Sequence, residues 1–117
     1  MKGTIKSSSE ISALFEGGER ITTTSMIALA LRRRQALEKG GRQIDGRIAV
    51  VAGRRLGSSP QRNKAKRRIR EAARLAKAPW RGFDVVLVAR DKILTSSFET
   101  IAKDMERIAL RIKRAEE

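Results

Sequence analysis

The chain has 117 residues, 27 Lys and Arg against 13 Asp and Glu, a net charge of +14, and neither His nor Cys. That length holds one domain, residues 1–117. The missing side chains exclude disulfide, thiol, imidazole-base and Cys/His zinc chemistry. So much like charge repels itself in a compact state and favours a polyanionic partner, nucleic acid first and an anionic membrane second.

The N-terminus, "MKGTIKSSSE", lacks the apolar core of a signal peptide. No run approaches the roughly 18 apolar residues of a membrane span. With no Cys, a cytoplasmic protein is expected. "SSSEISALFEGG" predicts a short helix: Ser7 and Glu10 are spaced as a capping box, and Ile11, Leu14 and Phe15 share a face. Gly17 and Gly18 stop it. "RITTTSMIALALRR" is rich in β-branched and aliphatic residues and predicts one strand over about 21–32. "QALEKGGRQIDG", with Gly40, Gly41 and Gly46, reads as a hairpin loop, and "RIAVVAGRR" as a second strand.

From Pro60 or Gln61 to about Ala78 the residues are good helix formers. Ser58 or Ser59 suits the cap, Pro60 the first turn, and Pro79 ends the helix. "FDVVLVAR" is the clearest strand. "SSFETIAKDMERIALRIKR" is a long amphipathic helix with Ser96 and Glu99 as a capping box. Its apolar face is Phe98, Ile101, Ala102, Met105, Ile108, Ala109 and Ile112. The order αββαβα implies an α+β sandwich, one sheet covered by helices. The second and third strands flank a helix and are expected to be parallel neighbours.

The middle helix carries the charge. On a wheel at about 100° per residue, Ala65, Ile69, Ala72, Ala73 and Ala76 gather on a narrow apolar arc. Arg62, Lys66 and Arg70 form a stripe at i, i+4, i+8. Asn63, Arg67 and Arg74 extend it, and Lys64 and Arg68 lie on the far side. Between Arg54 and Arg74 stand nine bases (Arg54, Arg55, Arg62, Lys64, Lys66, Arg67, Arg68, Arg70, Arg74) and one acid, Glu71. Like charges at i, i+4 cost a few tenths of a kcal/mol per pair, and few acids compensate here. A merely solvated face mixes both signs, as "KDMER" does. Arginine forks match phosphate geometry. A helix-turn-helix protein places its recognition helix after another helix, whereas this one stands between strands. A membrane-surface helix carries Trp, Phe or Leu opposite its bases, and this one carries Ala and one Ile. The residues by themselves indicate nucleic acid, with RNA favoured.

Around "RLGSSPQRNKAKRRIRE" the chain resembles the protein component of bacterial ribonuclease P. That family's RN(R/K)xKRxxRE signature stands here as Arg62-Asn63-Lys64-Ala65-Lys66-Arg67-Arg68-Ile69-Arg70-Glu71. Arg54, Arg55 and Gly57 match the preceding strand and turn. Ile11, Leu14, Phe15 and Gly18 match the family's first helix. The resemblance covers nearly the whole chain. It implies a fold like the second domain of ribosomal protein S5, with a left-handed βαβ crossover. It implies one subunit of a ribonucleoprotein that removes the 5′ leader of precursor tRNA.

In that picture the RNA subunit does the chemistry with magnesium ions, and the protein alone binds no metal. RNA contacts fall to Arg54, Arg55, Arg62, Asn63, Lys64, Lys66, Arg67, Arg70 and Arg74. A leader cleft falls to Ile11, Phe15 and Leu29. The partners are the catalytic RNA and precursor tRNA, with no membrane and no obligate protein partner. The chain departs from the family at Ser58-Ser59-Pro60, usually Asn-Ala-Val, and at Ile11 and Leu29, where rings are common. Phe15 is then the one cleft ring, and electrostatics is expected to carry more of the leader contact. A ribosomal or ribosome-assembly RNA-binding protein of the same fold is the alternative, and a DNA-binding architectural protein a more distant one. Asp45, Asp84, Asp91 and Asp104 show no metal-ligand spacing, and Trp80 reads as a packing anchor rather than a base-stacking platform.

Overall fold

The computed structural model describes residues 4–5, 7–33 and 45–116. Its order is α1 (Ser8–Gly17), β1 (Glu19–Thr22), β2 (Met26–Arg32), β3 (Arg47–Val51), α2 (Ser59–Leu75), β4 (Phe83–Ala89) and α3 (Phe98–Glu116). Single 3-10 turns lie at Arg54–Leu56 and Asp91–Leu94. The α+β class stands, with one strand more than expected. The run over 21–32 is an antiparallel pair, because Thr23 breaks it. Its amide and hydroxyl donate to the Met26 carbonyl at 2.9 and 2.7 Å, and the hydroxyl accepts from the Met26 amide at 3.2 Å, so backbone and side chain together close the turn.

The sheet order is β1-β2-β4-β3. β3 and β4 are parallel neighbours, as their flanking of α2 predicted. β2 and β3 do not form a hairpin, since β4 lies between them; most of the expected hairpin loop, 34–44, falls outside the described residues. The two faces hold separate cores. On one, Met26, Ala28, Ala30, Phe83, Val85 and Leu87 pack under α2 and α3. On the other, Leu29, Val86 and Ala49 share a register row beneath Leu14 of α1, with Ile5 beside them. Two helices seal the first face and one short helix half-covers the second.

The helix ends differ from expectation in detail. Ser7 caps α1, but Glu10 does not close a capping box; its carboxylate goes to Arg47. Ser97, not Ser96, caps α3, accepting from the Thr100 amide at 3.1 Å. The ordinary solvent-facing role of a first-turn residue leaves Phe98 exposed, while Ile101, Met105, Ile108, Ala109 and Ile112 are buried as the periodicity required. α2 stops at Leu75, before Pro79, because Lys77 takes a left-handed φ of 63°. Trp80 is buried and donates from Nε1 to the Ala76 carbonyl at 3.2 Å, a packing anchor.

Candidate nucleic-acid interface

The basic helix is aimed by its entry and its underside. Ser58 accepts from the N3 backbone, and Gln61 Oε1 accepts from the Ser58 amide at 2.8 Å, closing a capping box. Gly57, at φ 130°, makes the turn into it; a Cβ there would stand 1.9 Å from that same Gln61 oxygen. Ala65, Ile69, Ala72 and Ala73 are buried, and three of the four are methyl-sized, so α2 lies close on the sheet with its rotation fixed. The arc read from the wheel is the buried arc, save that Ala76, at the C-cap, is half-buried.

The rotation sorts the cations. Asn63, Lys64, Arg67, Arg70 and Arg74 are exposed, and Arg62 and Lys66 are half-buried along their stems. Arg62 donates to the Ser59 hydroxyl at 3.0 Å. Arg68 turns the other way and bonds the Ser96 carbonyl at the foot of α3, where its Nε is buried without a partner. The stripe of Arg62, Lys66 and Arg70 therefore lies on the flank away from α3. Arg54 and Arg55, exposed in the 3-10 turn after β3, are held at its entrance by buried Leu56. Arg74 stands apart: Glu71 pairs with it, and that hydrogen bond raises its pKa and lowers the carboxyl's. Among the described residues, Arg54, Arg55, Lys64, Lys66, Arg67 and Arg70 have no acidic partner.

The half-covered sheet face supplies a different surface. Ile11 and Phe15 follow one edge of α1 at i, i+4, with Ile11 half-buried and Phe15 47% exposed. Leu29 does not join them as cleft lining. It is 2% exposed, locked between Leu14 and Val86, and offers no surface to a ligand. The open floor is the next row of the same face, Ile27, Val88 and Val51, all half-buried and in register. Strand alternation two residues from Leu29 points to Ile27, but which strands stand beside it is not written in local sequence. Arg20, exposed and opposite Leu29, lies on the same face at its β1 rim. Arg90, just past β4, donates to the Thr23 carbonyl at 2.8 Å and ties the β1–β2 turn to the sheet.

Two of the aspartates are engaged within the fold. Asp84 pairs with Arg47, and Asp104 accepts from the Ser25 amide at 3.0 Å and its hydroxyl at 2.6 Å. No cluster of three potential ligands occurs among the described residues. No helix among them is long and apolar enough to cross a membrane.

The sequence model of the Ribonuclease P family matches residues 2–113. The ribonuclease P protein component of Symbiobacterium thermophilum is 40% identical over 63 residues, 53% of this chain and 55% of that protein. The chain thus spans about half the length of that relative. The corresponding protein of Caldanaerobacter subterraneus is 27% identical over 105 residues, 89% of this chain and 84% of its own. The Staphylococcus aureus RNase P protein structure superposes with a TM-score of 0.76 at 19% identity, covering 97% of this chain and 96% of that one, a likeness of fold.

Proposed function

We propose that this chain, which belongs to the ribonuclease P protein family, serves as the protein subunit of a ribonuclease P: it holds a catalytic RNA through α2 and the 5′ leader of precursor tRNA through the face beside α1. The observation that carries this is the division of surfaces. Unpaired cations crowd α2 and its entrance on one side of the sheet, and a shallow apolar floor lies on the other.

Each surface suits one part of the task. Guanidinium and ammonium groups neutralise phosphates of a folded RNA and release its counterions. The apolar row of Ile27, Val88 and Val51, on the sheet face that α1 half-covers, suits a single strand, whose bases are free to turn inward. Magnesium is expected to reside with the RNA, where it would supply the charge stabilisation for phosphodiester cleavage. The protein's contribution is to hold substrate and RNA together, so the chain alone should cut nothing. The test is to add purified chain to a bacterial catalytic RNA and precursor tRNA at magnesium too low for the RNA alone. Leader removal should be restored. Robust cleavage by the protein without RNA, surviving repurification, or no effect on the RNA's rate, would refute the proposal.

Phe15 gives a narrower expectation. A ring stacked on a leader base contributes roughly 1–3 kcal/mol. Phe15→Leu removes the ring face and keeps most apolar volume, and the residue is too exposed to anchor α1 alone. Affinity of the assembled complex for precursor tRNA should fall while that for mature tRNA holds. Equal losses for both would assign Phe15 to packing.

A further inference from the structure

An ion-pair network lies outside the basic helix, where α1 meets the starts of β3 and β4. Arg47 Nε donates to Asp84 Oδ1 at 3.0 Å and its Nη2 to Oδ2 at 2.8 Å. The same guanidinium reaches Glu10, Nη1 to Oε1 at 3.4 Å and Nη2 to Oε2. Arg33 Nε stands 3.7 Å from Asp84 Oδ1. One arginine therefore fastens the first turn of α1 to two strands at once. The Arg47 hydrogen bond holds the Glu10 carboxyl below its ordinary value, so the tie is charged on both sides at neutral pH.

Little else holds that helix. Leu14 is its one fully buried side chain, and its C-terminal end is fixed by the close approach of Gly18 to Ala30. Ile11, one residue past Glu10, packs against the same buried cluster of Leu14, Leu29, Ala49 and Val86 that Val51 and Val88 of the open floor adjoin. The seating of Ile11 on that face, and the course of the helix that carries Phe15, thus depend on the Glu10 end of α1. The network also balances charge: two carboxylates meet two guanidiniums. Without Arg47 the cluster would turn anionic beside a path proposed for a polyanion.

We infer that Arg47 is a positioning residue for leader binding, setting the width of the cleft through Glu10 without touching the leader; this rests on the leader reading above. The test uses the complex assembled with catalytic RNA, with precursor and mature tRNA as ligands, and amide hydrogen exchange of the protein. Arg47→Gln should weaken precursor binding about tenfold, the scale of a lost charged hydrogen bond, and leave mature tRNA unchanged. Amides of α1 should exchange faster while those of β2 and β4 hold. Glu10→Gln, at a more exposed position that does not threaten folding, should shift both readouts the same way. Arg47→Lys, which keeps the charge and loses the fork, should fall between.

Faster α1 exchange with an unchanged precursor-to-mature ratio would make Arg47 a structural tie only and overturn the inference. So would a loss in Arg47→Gln that Glu10→Gln does not share, because charge rather than helix position would then act. A parent complex with no preference for precursor tRNA would overturn the leader reading itself, and this inference with it.

Discussion

Replacing Arg62, Lys66 and Arg70 together with Ala is expected to weaken assembly with the catalytic RNA by about two orders of magnitude near 0.1 M salt. The three share one flank of α2, none has an acidic partner among the described residues, and Arg68 does not belong with them because it is spent on the Ser96 carbonyl. Each phosphate they neutralise releases counterions, contributing about 0.7 to 0.9 to the salt slope. Losing three contacts should flatten the slope by about 2 to 3. Folding should survive. The buried arc of α2 is untouched, the hydrogen bond from Arg62 to Ser59 is exposed, and removing like charges at i, i+4 relieves repulsion. Titrations across salt read both quantities. Unchanged affinity and slope would mean the stripe is only solvated.

What the sequence disclosed follows how far each signal reaches along the chain. The apolar arc of α2 and the stripe beside it are written within a few turns of helix, so their geometry was legible. So was the parallel pairing of β3 and β4, because a strand-helix-strand run permits it. The break at Thr23 was hidden by its residue type: a β-branched Thr reads as strand, yet here its hydroxyl joins its backbone amide in closing a turn. Leu29 was placed on the right face but at the wrong depth. Alternation gives the face of a strand residue and says nothing of whether a helix lies over it. The Arg47 network joins residues 10, 47 and 84, and no local pattern links positions so far apart. A first-turn acid in α1 looked like a capping partner until the fold brought an arginine to it.

Gly46 shows the same limit and yields the largest expected loss of stability. In the sequence it is one of three glycines in a polar connection. In the fold a Cβ at Gly46 would lie 1.8 Å from the Trp80 carbonyl oxygen, 2.5 Å from its carbon and 2.9 Å from the Phe83 oxygen. These are backbone atoms and cannot swing aside as a side chain would. The Trp80 carbonyl accepts from the Phe83 amide at 3.2 Å, and the Trp80 ring is tied to the end of α2 through Ala76. Room for a methyl group must therefore come from moving β3 away from the Trp80 turn, or that turn and the end of α2 together. Gly46→Ala should cost about 3 kcal/mol or more, the upper end of overpacking penalties, and lower the melting temperature by roughly 10–20 °C. Gly53 is the control: it also lies in the chain around β3, and a Cβ there meets nothing within 4 Å. Gly53→Ala should stay within about 0.5 kcal/mol of the parent. Thermal unfolding of the two variants side by side decides the matter. If Gly46→Ala melts with Gly53→Ala, β3 does not press against the Trp80 turn as described.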